Sequence, residues 1–142
     1  MKQVKFFFVA LMCLMVSGSV FADDTPIPVE QLPAEAKSFV KTNFPGKKIV
    51  YAEKDRNSYE CRLDEGTKIE FNKKGTWKKV DCHHTALPAV IVPDAIKQYV
   101  TTNFPGCLIT KIEKERYGYQ IELSNDIDLK FNYQGAFIGM DD

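Results

Sequence analysis

"TNFPG" fills residues 42 to 46, and the same five letters return at 102 to 106. Proline disfavours the α region for the Phe before it, and glycine frees the backbone to reverse direction. Each copy therefore reads as the end of a helix and a turn into a strand, with Phe44 or Phe104 as an apolar anchor. Pro and Gly mark turns far more often than binding loops, and this explanation covers every letter except the Thr.

Sliding the chain against itself by 60 residues extends the match well beyond this pentapeptide. Between 33–82 and 93–142 the shared residues include Pro33/Pro93, Lys37/Lys97, Val40/Val100, Ile49/Ile109, Glu53/Glu113, Tyr59/Tyr119, Leu63/Leu123, Phe71/Phe131 and Gly75/Gly135. No gap is needed. A long period without insertions marks a duplicated supersecondary unit whose copies pack together.

Upstream of each pentapeptide, Ala36, Phe39, Val40 and Phe44, matched by Ile96, Tyr99, Val100 and Phe104, follow the spacing of one helical stripe. Pro33 and Pro93 are placed to start these helices, where a missing N–H costs nothing. Downstream, Tyr59, Cys61 and Leu63, then Thr67, Ile69 and Phe71, alternate with charged residues. The second copy repeats this with Tyr119, Ile121, Leu123 and Ile127, Leu129, Phe131. Such alternation predicts half-buried antiparallel strands. "NKKG" and "NYQG" end in Gly75 and Gly135, as a hairpin turn with positive φ requires. Trp77/Val80 and Phe137/Met140 break the alternation and predict a bulge. A first strand, 47–54 and 107–114, alternates more weakly. The fold class is α+β, two tandem repeats, each a helix packed on a four-stranded antiparallel meander.

The N-terminus carries Lys2 and Lys5, an apolar run from Phe6 to Val16, and Val20-Phe21-Ala22. That order is a secretory signal peptide, expected to span residues 1–22 with cleavage after Ala22. The expected organisation is then repeat 1 at 23–82, a linker at 83–90 and repeat 2 at 91–142, placed in the periplasm or secreted. Losing Lys2 and Lys5 takes the basic residues from 19 to 17 against 19 acidic ones, a formal charge of −2. This balance gives no nucleic-acid footprint, and no later apolar run is long enough for a membrane span.

With its initial-Pro helices, NFPG turns and "FN..G" hairpins at Phe71-Asn72 to Gly75 and Phe131-Asn132 to Gly135, the chain resembles the PepSY-like, beta-lactamase-inhibitor-like family of small exported bacterial proteins. The resemblance covers nearly all of the chain after residue 22. It implies two α+β repeats forming one sheet surface backed by helices, and a binding or inhibitory module rather than an enzyme. The namesake inhibitors bind through loops and the concave sheet face. The family supplies no catalytic residues.

Candidate chemistry is sparse. Cys61, Cys82 and Cys107 follow the export signal, and an oxidising compartment allows one of three pairings. Cys61 with Cys82 is preferred, although in a plain meander their strands are not neighbours. Cys82, His83 and His84 are all metal-ligand types, yet consecutive residues rarely converge on one ion, and polar linker residues are the simpler account. No nucleophile and base pair is fixed by spacing, and no cofactor motif is present. The polar sheet face is assigned Glu60, Arg62, Lys68, Glu70 and Lys78 with Gln120, Glu122, Asp128, Lys130 and Ile138. Trp77, matched by Phe137, is assigned to the core. Tyr51, Tyr117 and Tyr133 occur in one half only and are therefore the candidate contacts for a protein partner in the cell envelope. The expected function is a non-catalytic exported binding module acting on an envelope or secreted enzyme such as a peptidase, with small-ligand or metal binding as the alternative.

Overall fold

The computed structural model describes residues 24–141. The expected signal peptide, residues 1–22, lies outside the described residues. The chain runs β1 (Thr25–Pro26), α1 (Ala34–Asn43), β2 (Ile49–Lys54), β3 (Ser58–Leu63), β4 (Lys68–Asn72), β5 (Trp77–Asp81), α2 (Asp94–Asn103), β6 (Ile109–Lys114), β7 (Gly118–Leu123), β8 (Asp128–Asn132) and β9 (Phe137–Asp141), with 3₁₀ turns at Val29–Gln31 and Ala89–Ile91. All strands join one antiparallel sheet in sequence order. Over the described residues the architecture is α+β, two helices on a nine-stranded sheet.

Each helix begins one residue after its proline, whose extended backbone (φ −54° and −56°) feeds the first turn. Pro33 and Pro93 thus stand just outside the helices. At the far end the Phe44 N–H still reaches the Val40 carbonyl (2.8 Å), and Gly46 takes φ 82°. Phe104, Val100 and Gly106 repeat this, with φ 86°. The Asn of the pentapeptide has a role as well. Asn43 and Asn103 donate Nδ2–H to the Phe39 and Tyr99 carbonyls, each at 2.9 Å, satisfying helix C-terminal acceptors.

The helix-facing side of the sheet carries one apolar row across eight strands: Ala52, Cys61, Ile69, Val80, Ile112, Ile121, Leu129 and Met140. All but Met140, at the sheet's edge, are 1% exposed or less. Burying each larger aliphatic side chain is worth about 1.5–3 kcal/mol. Phe39 meets Phe71 edge-on at 6.0 Å and Trp77 at 6.3 Å, while Tyr99 meets Phe131 at 5.3 Å and stacks on Phe137 at 4.7 Å. Trp77 packs against the core, as its match with Phe137 suggested.

The predicted bulges are present. Glu70 faces Lys79 whereas Phe71 faces Trp77, and Lys130 faces Gly139 whereas Phe131 faces Phe137. An extra residue, Lys78 or Ile138, is spent in each case. A third irregularity, between Ile49 and Tyr51 and again between Ile109 and Lys111, explains the weak alternation of the first strands.

Candidate functional site: the polar sheet face

Parity places two rows on the face turned away from the helices. One runs Glu53, Glu60, Glu70, Lys79, Glu113, Gln120, Lys130 and Gly139. The other runs Tyr51, Arg62, Lys68, Asp81, Lys111, Glu122, Asp128 and Asp141. The bulges therefore put Lys79 and Gly139, rather than Lys78 and Ile138, in the face.

The second row opposes unlike charges at its centre, Lys68 with Asp81, Asp81 with Lys111 and Lys111 with Glu122 (Nζ 3.7 Å away), and ends on three acids, Glu122, Asp128 and Asp141. The first row gathers its acids at the other end of the sheet. Glu53, Glu60 and Glu70 stand directly opposite one another on three adjacent strands, an arrangement that destabilises a sheet. With Asp24, Asp55 and Ser58 they line a cleft of about 160 Å³. Burial, with the charges of Glu60 and Asp24, raises the Glu53 carboxyl above its ordinary value of 4.5. Arg62 (3.3 Å from Glu60) and Lys79 (3.9 Å from Glu70) offset part of this charge. The corresponding row in the second half is Glu113, Gln120 and Lys130, so the shared fold does not demand three acids there.

Tyr51 lies at this acidic end, its ring under the Arg62 guanidinium at 5.1 Å. Its hydroxyl is held protonated above the usual phenol range chiefly by Glu53. Tyr117 is far along the sheet, donating its hydroxyl to Gln120 Oε1 at 3.3 Å. Tyr133 packs edge-on against Tyr119 and donates to the Glu115 carbonyl. The three tyrosines thus form no common patch, but Tyr51 joins the carboxylates. No periodicity signal could have joined them, because the grouping depends on cross-strand register.

Cys82, His83 and His84 are split by the backbone. The Cys82 thiol is buried and accepts from Thr67 Oγ1 at 3.6 Å. His83, with φ 60°, turns outward, donating its N–H to Asp81 Oδ1 at 2.9 Å. His83 and His84 line a cavity of about 250 Å³ with Asp81, Glu122, Ser124 and Asp126. Among the described residues no three His, Cys, Asp or Glu side chains are grouped to hold a metal ion. The Cys61–Cys82 pairing is not made. Cys61, Cys82 and Cys107, the cysteines among the described residues, are free, and β4 separates β3, which carries Cys61, from β5, which ends at Asp81. Two strand spacings exceed disulfide reach. Burial pushes the Cys61 thiol up to about 12.

Among the described residues, no helix is long and apolar enough to cross a membrane. A family model described as "Putative beta-lactamase-inhibitor-like, PepSY-like" matches twice, at residues 20–67 and 57–139. Solved structures from Bacteroides give the same answer. One from Bacteroides thetaiotaomicron, a "putative calcium-regulated periplasmic protein", is 41% identical, with TM-score 0.79 over 84% of this chain and 97% of that one. A "putative periplasmic protein" from Bacteroides vulgatus is 43% identical, with TM-score 0.78 over 84% of this chain and 98% of that one. A second Bacteroides vulgatus protein, "of unknown function", is 33% identical, with TM-score 0.79 over 84% and 99%. No curated protein matches the chain. The chain belongs to the PepSY-like family.

Proposed function

We propose that this PepSY-like protein is a non-catalytic, exported binding module that docks on an envelope or secreted enzyme, a peptidase being the expected class. Each repeat supplies a helix and a four-stranded meander as scaffold, and the polar face of the combined sheet supplies the contacts. Export is supported by the signal-like N-terminus and by the periplasmic description of the three relatives.

The observation that carries this reading is the row Glu53, Glu60 and Glu70, three carboxylates set directly opposite one another at positions that the second half fills with Glu113, Gln120 and Lys130. Tyr51 and Arg62 beside it add the residue types that dominate protein contacts. Charge of one sign on a rigid sheet recruits a partner of the opposite sign and speeds encounter. The partner surface is therefore basic. Affinity capture from the native extracytoplasmic fraction, run beside a Glu53→Gln/Glu60→Gln variant, tests this. One protein recovered reproducibly with the natural chain and lost with the variant is the expected result. Equal recovery by both, or none by either, overturns the reading.

A second reading, cation binding, draws on the calcium-regulated description of the Bacteroides thetaiotaomicron relative and on the carboxylates around the cleft. His83 and His84, which line a separate cavity with Asp81, Glu122 and Asp126, give it a second location, without the buried Cys82 thiol. Calcium titration by calorimetry separates the two: saturable heat lost in Glu53→Gln/Glu60→Gln favours the cation at the acidic cleft.

A further inference from the structure

The two halves differ most at the outer edge of their first strands. In the second half the Thr110 carbonyl accepts from the Cys82 N–H (2.8 Å) and the Ile109 carbonyl from the Leu87 N–H (2.9 Å). Leu87 itself is buried. The β2–β3 register repeats that of β6–β7 residue for residue, so the carbonyls of Val50 and Ile49 face the same outer side. No N–H of the described residues outside the β2–β3 ladder reaches them. The N-terminal segment meets β2 farther along, with Thr25 opposite Lys54 and the Ile27 N–H on the Ala52 carbonyl. Val50 is 61% exposed, whereas Thr110 is 2% exposed.

Beside this open edge lies a cavity of about 650 Å³ with Val40, Phe44 and Ile49 in its wall. At the same place in the second half the cavity shrinks to about 220 Å³, with Leu87 as an added wall. Its rim also differs. Lys41, Lys47 and Lys48 border the open cavity, and their counterparts are Thr101, Cys107 and Leu108. These three ammonium groups make no ion pair with a described residue.

We propose that the β2 edge and this cavity form a docking site for an extended acidic peptide segment of a partner protein. One aliphatic side chain of the segment fills the cavity as Leu87 does in the second half, and its backbone N–H groups meet the carbonyls of Ile49 and Val50. Strand addition of this kind takes affinity from main-chain hydrogen bonds and specificity from a side-chain pocket. The lysines select acidic residues flanking the aliphatic one. A fatty acid satisfies the charge and the apolar wall but has no N–H for the carbonyls. A second copy meeting this edge would set lysines against lysines, the device by which edge strands avoid self-pairing. This site is separate from the acidic cleft and goes beyond the function proposed above.

The test is fluorescence polarisation with a labelled, end-capped peptide SETALDE titrated with the purified protein. Saturable binding that weakens with salt is expected. N-methylation of the peptide's Leu nitrogen removes a donor to a carbonyl and is expected to weaken binding about tenfold. The triple variant Lys41→Thr/Lys47→Ser/Lys48→Leu, which approaches the second-half residues, is expected to weaken it about tenfold as well. Dodecanoate is expected not to compete. The proposal is overturned if SETALDE fails to bind below about 1 mM, if the N-methyl peptide binds equally to the natural protein, if dodecanoate displaces the peptide, or if sedimentation shows a dimer that SETALDE cannot enter.

Discussion

Val80 on β5 stands directly opposite Ile112 on β6, and neither exposes any surface. This pair joins the halves of the chain within one apolar row, so a defect in one half should be felt in the other. The only tryptophan, Trp77, belongs to the first half and reports on it. Ile121→Ala in the second half is expected to cost roughly 2–5 kcal/mol and to lower the melting midpoint equally by Trp77 fluorescence and by far-ultraviolet circular dichroism. A fluorescence midpoint left unmoved would mean that the halves unfold independently.

Gly75 closes the β4–β5 hairpin with φ 93°, and a β-carbon there would lie 2.8 Å from the Pro33 β-carbon and 3.0 Å from the Ala36 nitrogen. The hairpin is thus pressed against the start of α1. Gly75→Ala is expected to destabilise by roughly 1–3 kcal/mol through the strained backbone, with more from the collision. Chemical denaturation gives the value, and a neutral result would show that the hairpin and helix do not touch.

Cys61 is fully buried, and its burial holds the thiol up to about 12. Burial raises the Cys82 thiol too, while Cys107 is partly exposed. Thiolates are the reactive species, so brief iodoacetamide treatment of the native protein is expected to label Cys107 and spare the other two. Mass spectrometry of the digest reads this directly. Labelling of Cys61 before unfolding would contradict the packing of β3.

Much of the architecture could be read before any coordinates. The 60-residue period, the helix stripe through Val40 and Val100, the glycine hairpins and both β5 and β9 bulges all leave local marks in the chain. What lies between distant residues left none. β1, only Thr25–Pro26, is too short to alternate, and its pairing with β2 depends on where the chain happens to return. The acidic row was invisible because Glu60 and Glu70 alternate like any solvated residues. Only register sets them opposite Glu53. Likewise His83 and His84 share a cavity with Glu122 and Asp126 across the β5–β6 junction, which periodicity does not encode.

Glu53 sets a pH dependence whose sign follows from its raised carboxyl. A carboxyl raised on folding contributes stability below its unfolded value, and that contribution is lost as pH rises through the folded value. Glu53→Gln is therefore expected to be more stable than the natural protein at pH 7, by roughly 0.2–1 kcal/mol, with the advantage gone below about pH 4. Melting curves across that range check it. A variant less stable at pH 7 would show that the charge supports the sheet.

The surface account stands on the acidic row being a burden that the fold could shed. Glu60 sits between Glu53 and Glu70, and Gln120 fills its place in the second half. Losing the exposed contact to Arg62 costs little. The most direct measurement is the thermal midpoint of Glu60→Gln at neutral pH and low salt. A midpoint above that of the natural protein is the predicted result; a midpoint below it would mean that the three carboxylates serve the fold, and the account would fail.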